Sequence, residues 1–347
     1  MPQLHQQNCK RRVNNMAIYI GDNSTIKTRI GDKMYCLHIT KDDMAESPRE
    51  WDNLTIMACW HRRYALGDKM DEQTPEEFWK KLVNKYVSAD EFLEAAKSGK
   101  FQDIRIVERP DGLVDVIDVH GSTDSMTEYA ESLDYEALRP EDVKTYVLED
   151  LSMSELMELM KPYAEWLPLW LYDHSGLTIS CGTRVYPYND RWDSGQVGWI
   201  VALKDILMTN TTEILYDADG NPIREAHHHQ DGSVTYGVKC RPLTEETWRK
   251  RAVEIMQADV KLYDKYLRGE TYCYTLYSAP VPDNSEDADP DETPDWEEID
   301  SCGGFYGDDL LENGILDNLP SEVAKAIRDD DYETGVATMR TVTYFDF

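Results

Sequence analysis

The chain has 347 residues, with 67 Asp or Glu against 36 Lys or Arg for a formal net charge of −31, and 41% of its residues are apolar. A chain of this length buries a core sufficient to fold with neither disulfides nor a structural metal, and its apolar runs fall far short of the roughly 20 residues a membrane-spanning helix needs. The opening MPQLHQQNCKRR has no apolar stretch after its basic residues, and the seven cysteines show no C-x-x-C spacing, so no secretory signal, reduced thiols and a cytoplasmic location are expected.

In chain order, Ile18–Ile20 and Met34–Ile39 are short β-prone runs separated by Gly-Asp turn signals, and residues 42–68 are ambiguous in type. Thr74, Pro75 and Glu77 form a helix start whose apolar stripe is Phe78, Leu82, Val83 and Tyr86. Ser88 with Glu91 opens a second helix that Gly99 stops, and Ser152 with Glu155 opens a third. Between these, residues 103–108 and 113–119 around Arg109-Pro-Asp-Gly112 predict a β-hairpin.

Strands are expected at Leu169–Tyr172, Leu177–Ser180 and Val197–Leu203, followed by a small meander over residues 212–240. Thr244 opens the longest helix, with Trp248, Ala252, Ile255, Met256, Val260, Tyr263 and Leu267 at helical spacing. A Tyr-rich strand over Thr271–Tyr277, an acidic loop over 283–300, a short helix over Ser321–Arg328 and a last strand over Ala337–Phe345 complete the reading. The fold class expected is α+β, with mostly antiparallel sheet, several amphipathic helices and a β-meander elaboration. Three segments follow: a β-rich part over 1–70, an acidic helical and hairpin part over 71–162, and an α+β part over 163–347.

The charge is concentrated: residues 64–160 carry a net −14 and residues 283–347 a net −17, whereas residues 1–63 carry +3. A directed field of this kind suits recognition of a basic partner, and without Lys/Arg clusters the chain is not expected to bind nucleic acid directly. The carboxylates that would present such a surface are Glu76, Glu77, Asp90, Glu91, Glu94, Asp134, Glu136, Glu141 and Asp142 in the first acidic stretch. In the second they are Asp283, Glu286, Asp287, Asp289, Asp291, Glu292, Asp295, Glu297 and Glu298.

Other motifs are weaker. Asp217-x-Asp219-x-Asn221 resembles the opening of a calcium loop, but Pro222 and His228 stand where that loop needs Gly and Glu, so a hairpin turn is expected. His227-His228-His229 offers two imidazoles on one strand face with no further ligand nearby, so no metal and no cofactor is expected. Cys59-Trp60-His61 and Asp173-His174-Ser175-Gly176 place nucleophile and base types side by side, yet sequence neighbours on a strand point to opposite faces, and turns are the expectation. The two glycines of Asp193-Ser-Gly-Gln-Val-Gly198 lack a phosphate-loop pattern.

Several strings together are distinctive: SPREWDNLTIMACWHRRYALGD (47–68), PLWLYDHSGLTIS (168–180), WDSGQVGWIV (192–201), YDKYLRGE (263–270) and EIDSCGGFYGDD (298–309). They resemble a family of proteins encoded by phages, prophages and plasmids, chiefly of Gram-positive and gut bacteria, to which no biochemical activity is assigned. The resemblance implies a mobile-element setting inside a bacterial cell, where accessory proteins counter host defences, and it transfers no functional residue.

Charge and setting together predict an anti-defence protein that mimics nucleic acid and inhibits a host nuclease, restriction enzyme or CRISPR effector through its basic surface. The alternative is a small-ligand-binding protein or enzyme whose pocket is formed by Trp51, His61, Arg62, Arg63, Asp173, His174, Trp192, Asp193 and Gln196. A structural accessory phage protein is the third reading. The balance favours a binding protein over an enzyme, acting alone or as a homo-oligomer, with no membrane partner.

Overall fold

A computed structural model of the chain describes residues 17–120, 129–132, 137–182, 192–228, 233–281 and 295–329. In chain order its strands and helices begin with β1 (Asn23–Ile30), β2 (Lys33–Lys41), β3 (Thr55–Cys59), α1 (Pro75–Tyr86) and α2 (Ala89–Lys97). Next come β4 (Ile104–Glu108), β5 (Val114–His120), β6 (Tyr129–Ser132), α3 (Val143–Val147), α4 (Met153–Met160), β7 (Ala164–Asp173), β8 (Leu177–Cys181), β9 (Ser194–Leu203) and α5 (Lys204–Asn210). The rest are β10 (Thr212–Ile214), β11 (Arg224–His228), β12 (Val234–Val238), β13 (Cys240–Pro242), α6 (Trp248–Leu267), β14 (Thr271–Pro280), β15 (Glu297–Tyr306), α7 (Ile315–Asn318) and α8 (Ser321–Arg328). The fold is α+β with antiparallel sheets throughout. No described helix is long and apolar enough to cross a membrane.

The chain divides into two compact units, a central one over Arg49–Lys261 and a terminal one that joins Met1–Pro48 to Leu262–Phe347. The segments 1–70, 71–162 and 163–347 are each continuous in sequence, whereas the terminal unit is not. Its sheet pairs β2 with β14, bringing Tyr274 opposite Ile39, and pairing between residues so distant in sequence is invisible to local patterning.

In the central unit the sheet order is β3-β9-β7-β8. One face carries Ala58, Ala164, Val201 and Leu203 into a core with Phe78, Trp79, Leu82 and Val83 of α1 and with residues of α2 and α4. Trp79 is wholly buried there, edge-on to Trp166 at 5.1 Å and to Trp199 at 6.2 Å. The hairpin β4–β5 enters the same core through Ile104, Val114 and Val116. The other face presents Thr55, whose hydroxyl donates to Asp259 of α6 at 2.5 Å, and Cys181 Sγ lies 3.9 Å from the Met256 carbonyl, so α6 covers this side. The terminal unit has the order β1-β2-β14-β15. There Ile26, Leu37, Ile39, Tyr272, Tyr274 and Leu276 pack against Leu316, Val323 and Ile327 of α7 and α8.

The three helices that start at Thr74, Ser88 and Ser152 form where expected, whereas the helix expected to open at Thr244 begins only at Trp248, after a turn over 245–247. Ser88 and Ser152 each accept from the amide three residues on, and the Glu91 and Glu155 carboxylates return to the cap amides at 2.8 Å. At α1 the Thr74 hydroxyl takes the Glu77 amide, but the Glu77 carboxylate reaches Gln73 N at 2.7 Å instead of the cap itself.

Several expectations need correction. Ile18–Ile20 forms only a bridge, Tyr19 to Asp309, and the first strand is instead Asn23–Ile30, paired with β2 along its whole length. The ambiguous stretch 42–68 contains β3. The acidic run does not stay a loop to Asp300, because Glu297–Asp300 already belong to β15, paired with β14. The meander resolves into two pairs, β10 with β13 and β11 with β12, joined by backbone hydrogen bonds among Leu215, Ile223 and Lys239. The strand expected over Ala337–Phe345 lies outside the described residues.

Candidate functional site

Part of the alternative pocket set comes together at one end of the central sheet. The loop after β3 is folded back on its own strand. Asp68 N donates to Met57 O at 2.9 Å while its carboxylate accepts from Met57 N at 3.0 Å. Gly67 makes this return possible. Its φ is +69°, and a Cβ there would stand 2.3 Å from Met57 O. Trp60 is held at both ends, its amide on Val197 O at 2.8 Å and its indole N–H on Glu72 O at 3.1 Å.

From this base project His61, Arg62, Arg63 and Tyr64. His61 Nδ1 accepts the amides of Arg63 and Tyr64, both at 3.3 Å, so its lone pair points inward and the neutral ring carries its proton on Nε2. Burial, and then the Arg63 charge, lower its pKa from the ordinary value. Its ring stacks on Tyr64 at 5.1 Å, and the Arg63 guanidinium lies 5.3 Å from the same Tyr ring.

Asp173, the last residue of β7, accepts from the Arg63 guanidinium and, at 3.2 Å, from the Tyr64 hydroxyl. Its own amide donates to Asp193 O at 2.7 Å, which ties the β7–β8 turn to the entry of β9. In that turn His174 Nδ1 lies 3.0 Å from Asp193 Oδ2. Against a carboxylate Nδ1 is the donor, so in the neutral ring Nε2 is the acceptor. The His174 ring stacks on Tyr172 at 5.8 Å. Ser175, next in the turn, holds φ at +60°, a left-handed conformation uncommon for a residue with a side chain.

Arg63, Asp173, His174 and Asp193 are thus linked, Arg63 to Asp173 across 110 residues of sequence, with His61 beside them. The remaining members stand differently. Arg62 is exposed, Trp192 is 96% exposed next to Asp193 in sequence, and Trp51 is 43% exposed and accepts two bonds from Asn53 on its carbonyl. Gln196 turns its amide back to Gly198 O at 3.3 Å. Nothing in the residue type of Tyr64 marks it for this site, and its place next to Arg63 is the only signal the sequence offers.

The acidic set is divided between the units. Glu76, Glu77, Asp90, Glu91, Glu94, Glu141 and Asp142 lie in the central unit, and Asp295, Glu297 and Glu298 in the terminal one. Several have local partners. Glu77 caps α1, Glu91 caps α2 and accepts from the Tyr163 hydroxyl at 2.5 Å, and Glu94 faces Lys97 at 3.4 Å. Glu76, Asp90 and Glu141 are exposed. Asp134, Glu136, Asp283, Glu286, Asp287, Asp289, Asp291 and Glu292 lie outside the described residues.

The Asp217 carboxylate accepts the amides of Asp219 at 3.0 Å and Asn221 at 2.8 Å, so that string closes a turn. No group of three or more His, Cys, Asp or Glu suited to a metal occurs among the described residues. No protein-family model, curated protein or solved structure matches the chain.

Proposed function

We propose that the chain is a small-ligand-binding protein whose site is this end of the central sheet, and that the ligand carries a phosphate or similar anionic group. The observation that supports it is the convergence of Arg63, Tyr64, Asp173, His174 and Asp193 from three separate stretches onto one hydrogen-bonded group. Arg62 and Arg63 are the cationic groups of this site in a chain of net charge −31, set against the carboxylates of Asp173 and Asp193, and they are where an anion would be drawn.

Asp173 and Tyr64 orient the Arg63 guanidinium, whose planar fork suits an oxyanion. His174, with its Nδ1 proton on the Asp193 side, offers Nε2 to accept a hydrogen bond from a ligand hydroxyl or a water molecule. Isothermal titration with inorganic phosphate and a panel of nucleotides tests this. Arg63→Gln and His174→Asn should weaken binding at least about tenfold, the scale of one lost charge-assisted contact, while the fold is kept. Binding that is equal in the variants and the unaltered chain defeats the reading.

A second reading rests on the acidic surface. Asp90, Glu91 and Glu94 on α2, and Glu297, Glu298 and Asp300 on β15, are exposed carboxylates on regular elements. Each group by itself suits a mimic of nucleic acid that occupies the basic surface of a host defence enzyme. Capture of such an enzyme should weaken with salt, since the attraction is screened over about 8–10 Å. Reversing Asp90 and Glu94 to Lys in one variant, and Glu297 and Glu298 in another, should weaken it, with Glu91 left in place as the cap of α2.

A further inference from the structure

We infer that β15 is a docking edge that takes up an extended, Lys- or Arg-bearing segment of a partner as an added antiparallel or parallel strand. The inference rests on the second reading for the sign of the partner's charge and adds the manner of contact. Among the described residues β15 pairs on one side only, with β14, and is the last strand of its sheet. Eight consecutive residues, Glu297 to Gly304, are exposed, so both faces of the strand meet solvent as well as its outer edge. An edge of this kind displays a row of backbone donors and acceptors that another strand can satisfy.

The charge decides what that strand is. Glu297, Glu298 and Asp300 stand on this edge, with Asp295 just before it. An in-register parallel copy of β15 would set like charges opposite one another, which opposes pairing, whereas Lys or Arg in a partner strand would meet a carboxylate on either face, since Glu297 and Glu298 point to opposite sides of the strand. Beyond Asp300 the side chains are small, Ser301-Cys302-Gly303-Gly304, and offer little steric obstacle to bulky partner residues. The strand is also held in place. Gly304 N donates to the Asp42 carboxylate at 2.9 Å, and the Tyr274 hydroxyl donates to Asp300 at 2.6 Å. Little ordering of β15 itself is therefore left to oppose binding.

The test uses the full chain with two labelled peptides of equal charge. One alternates Lys with Val, and the other has the same lysines but prolines in place of alternate valines, so that it cannot complete a strand ladder. Fluorescence anisotropy should show the first binding at least about tenfold more tightly, with affinity falling in high salt, and amide exchange across Glu297–Cys302 should slow when it binds. The paired reversal Glu297→Lys and Glu298→Lys should remove binding while the circular dichroism spectrum is unchanged. Equal binding of both peptides overturns the inference and leaves the charge-based reading standing. Absence of binding by either peptide overturns both. Amides of β15 that are already slow to exchange without peptide show that the edge is occupied within the chain, and overturn the inference alone.

Discussion

Arg49 and Asp68 form a two-point ion pair, with Nε 2.7 Å from Oδ1 and Nη2 3.1 Å from Oδ2, and the Arg49 side chain is only 2% exposed. The same guanidinium donates to Thr55 O at 2.9 Å and reaches Asp259 at 3.5 Å. It thereby joins the return of the 60–68 loop to β3 and to α6. Removing one partner of a buried pair leaves the other charge uncompensated.

Arg49→Met should therefore destabilise the central unit by about 3–5 kcal/mol, read as a lower urea midpoint. Asp68→Asn should cost less than Arg49→Met, because the amide retains one acceptor for the guanidinium. A loss below about 1 kcal/mol for Arg49→Met, the range of exposed pairs, would show that the network does not hold the loop.

Two glycines packed against β3 have no room for a methyl group. A Cβ at Gly198 would lie 1.9 Å from Ala58 O, and one at Gly67 2.3 Å from Met57 O with φ already at +69°. Gly198→Ala must push β9 from β3, and Gly67→Ala must open the loop that carries His61 to Tyr64. Each should cost about 3 kcal/mol or more, as overpacking and backbone strain combine. Gly31→Ala is the control, since nothing lies within 4 Å of its Cβ and only its φ of +63° is strained. It should cost less than either, by thermal denaturation.

Stability should fall with acid in two windows. His61 has a pKa below the ordinary 6.5 in the fold, so the unfolded chain binds that proton first and stability declines as pH drops from 6.5 toward the folded value. Glu91 has a pKa below 4.5, held down by the Ser88 hydroxyl and then the Tyr163 hydroxyl, so its contribution persists above 4.5 and disappears as pH falls through its lower folded value. Urea midpoints from pH 7 to 3 should lose the first decline in His61→Asn and soften the second in Glu91→Gln. Unchanged profiles would contradict both assignments.

The thiols should react in a definite order. Burial pushes Cys59 up to about 12 and Cys181 up to about 11, so both are protonated and shielded at neutral pH. Cys240 and Cys302 are exposed. Among the described cysteines, timed alkylation followed by peptide mapping should label Cys240 and Cys302 first and reach Cys59 and Cys181 only on unfolding. Early labelling of Cys59 would mean that the loop over it opens.

What was legible in the sequence was local. Thr74-Pro75, Ser88 with Glu91 and Ser152 with Glu155 announce α1, α2 and α4 because a cap and its partner lie three residues apart, and a single turn of chain satisfies both. The α+β class followed from the same local periodicities. Strands at the edges were not legible. Asn23–Ile30 and Glu297–Tyr306 are polar enough to pass for loop, and they become strands because β2 and β14 stand beside them. That is a property of the assembled sheet and not of the segment. The candidate site divides in the same way. The residue types His61, Arg63, Asp173, His174 and Asp193 could be picked out by their chemistry, but that Arg63 meets Asp173 and His174 meets Asp193 was decided only when β3, β7 and β9 paired. Sequence alone determines the charge, the capped helices and the available chemistry. Tertiary structure decides which of those groups touch, because contact across 110 residues is set by strand register, which no local pattern encodes.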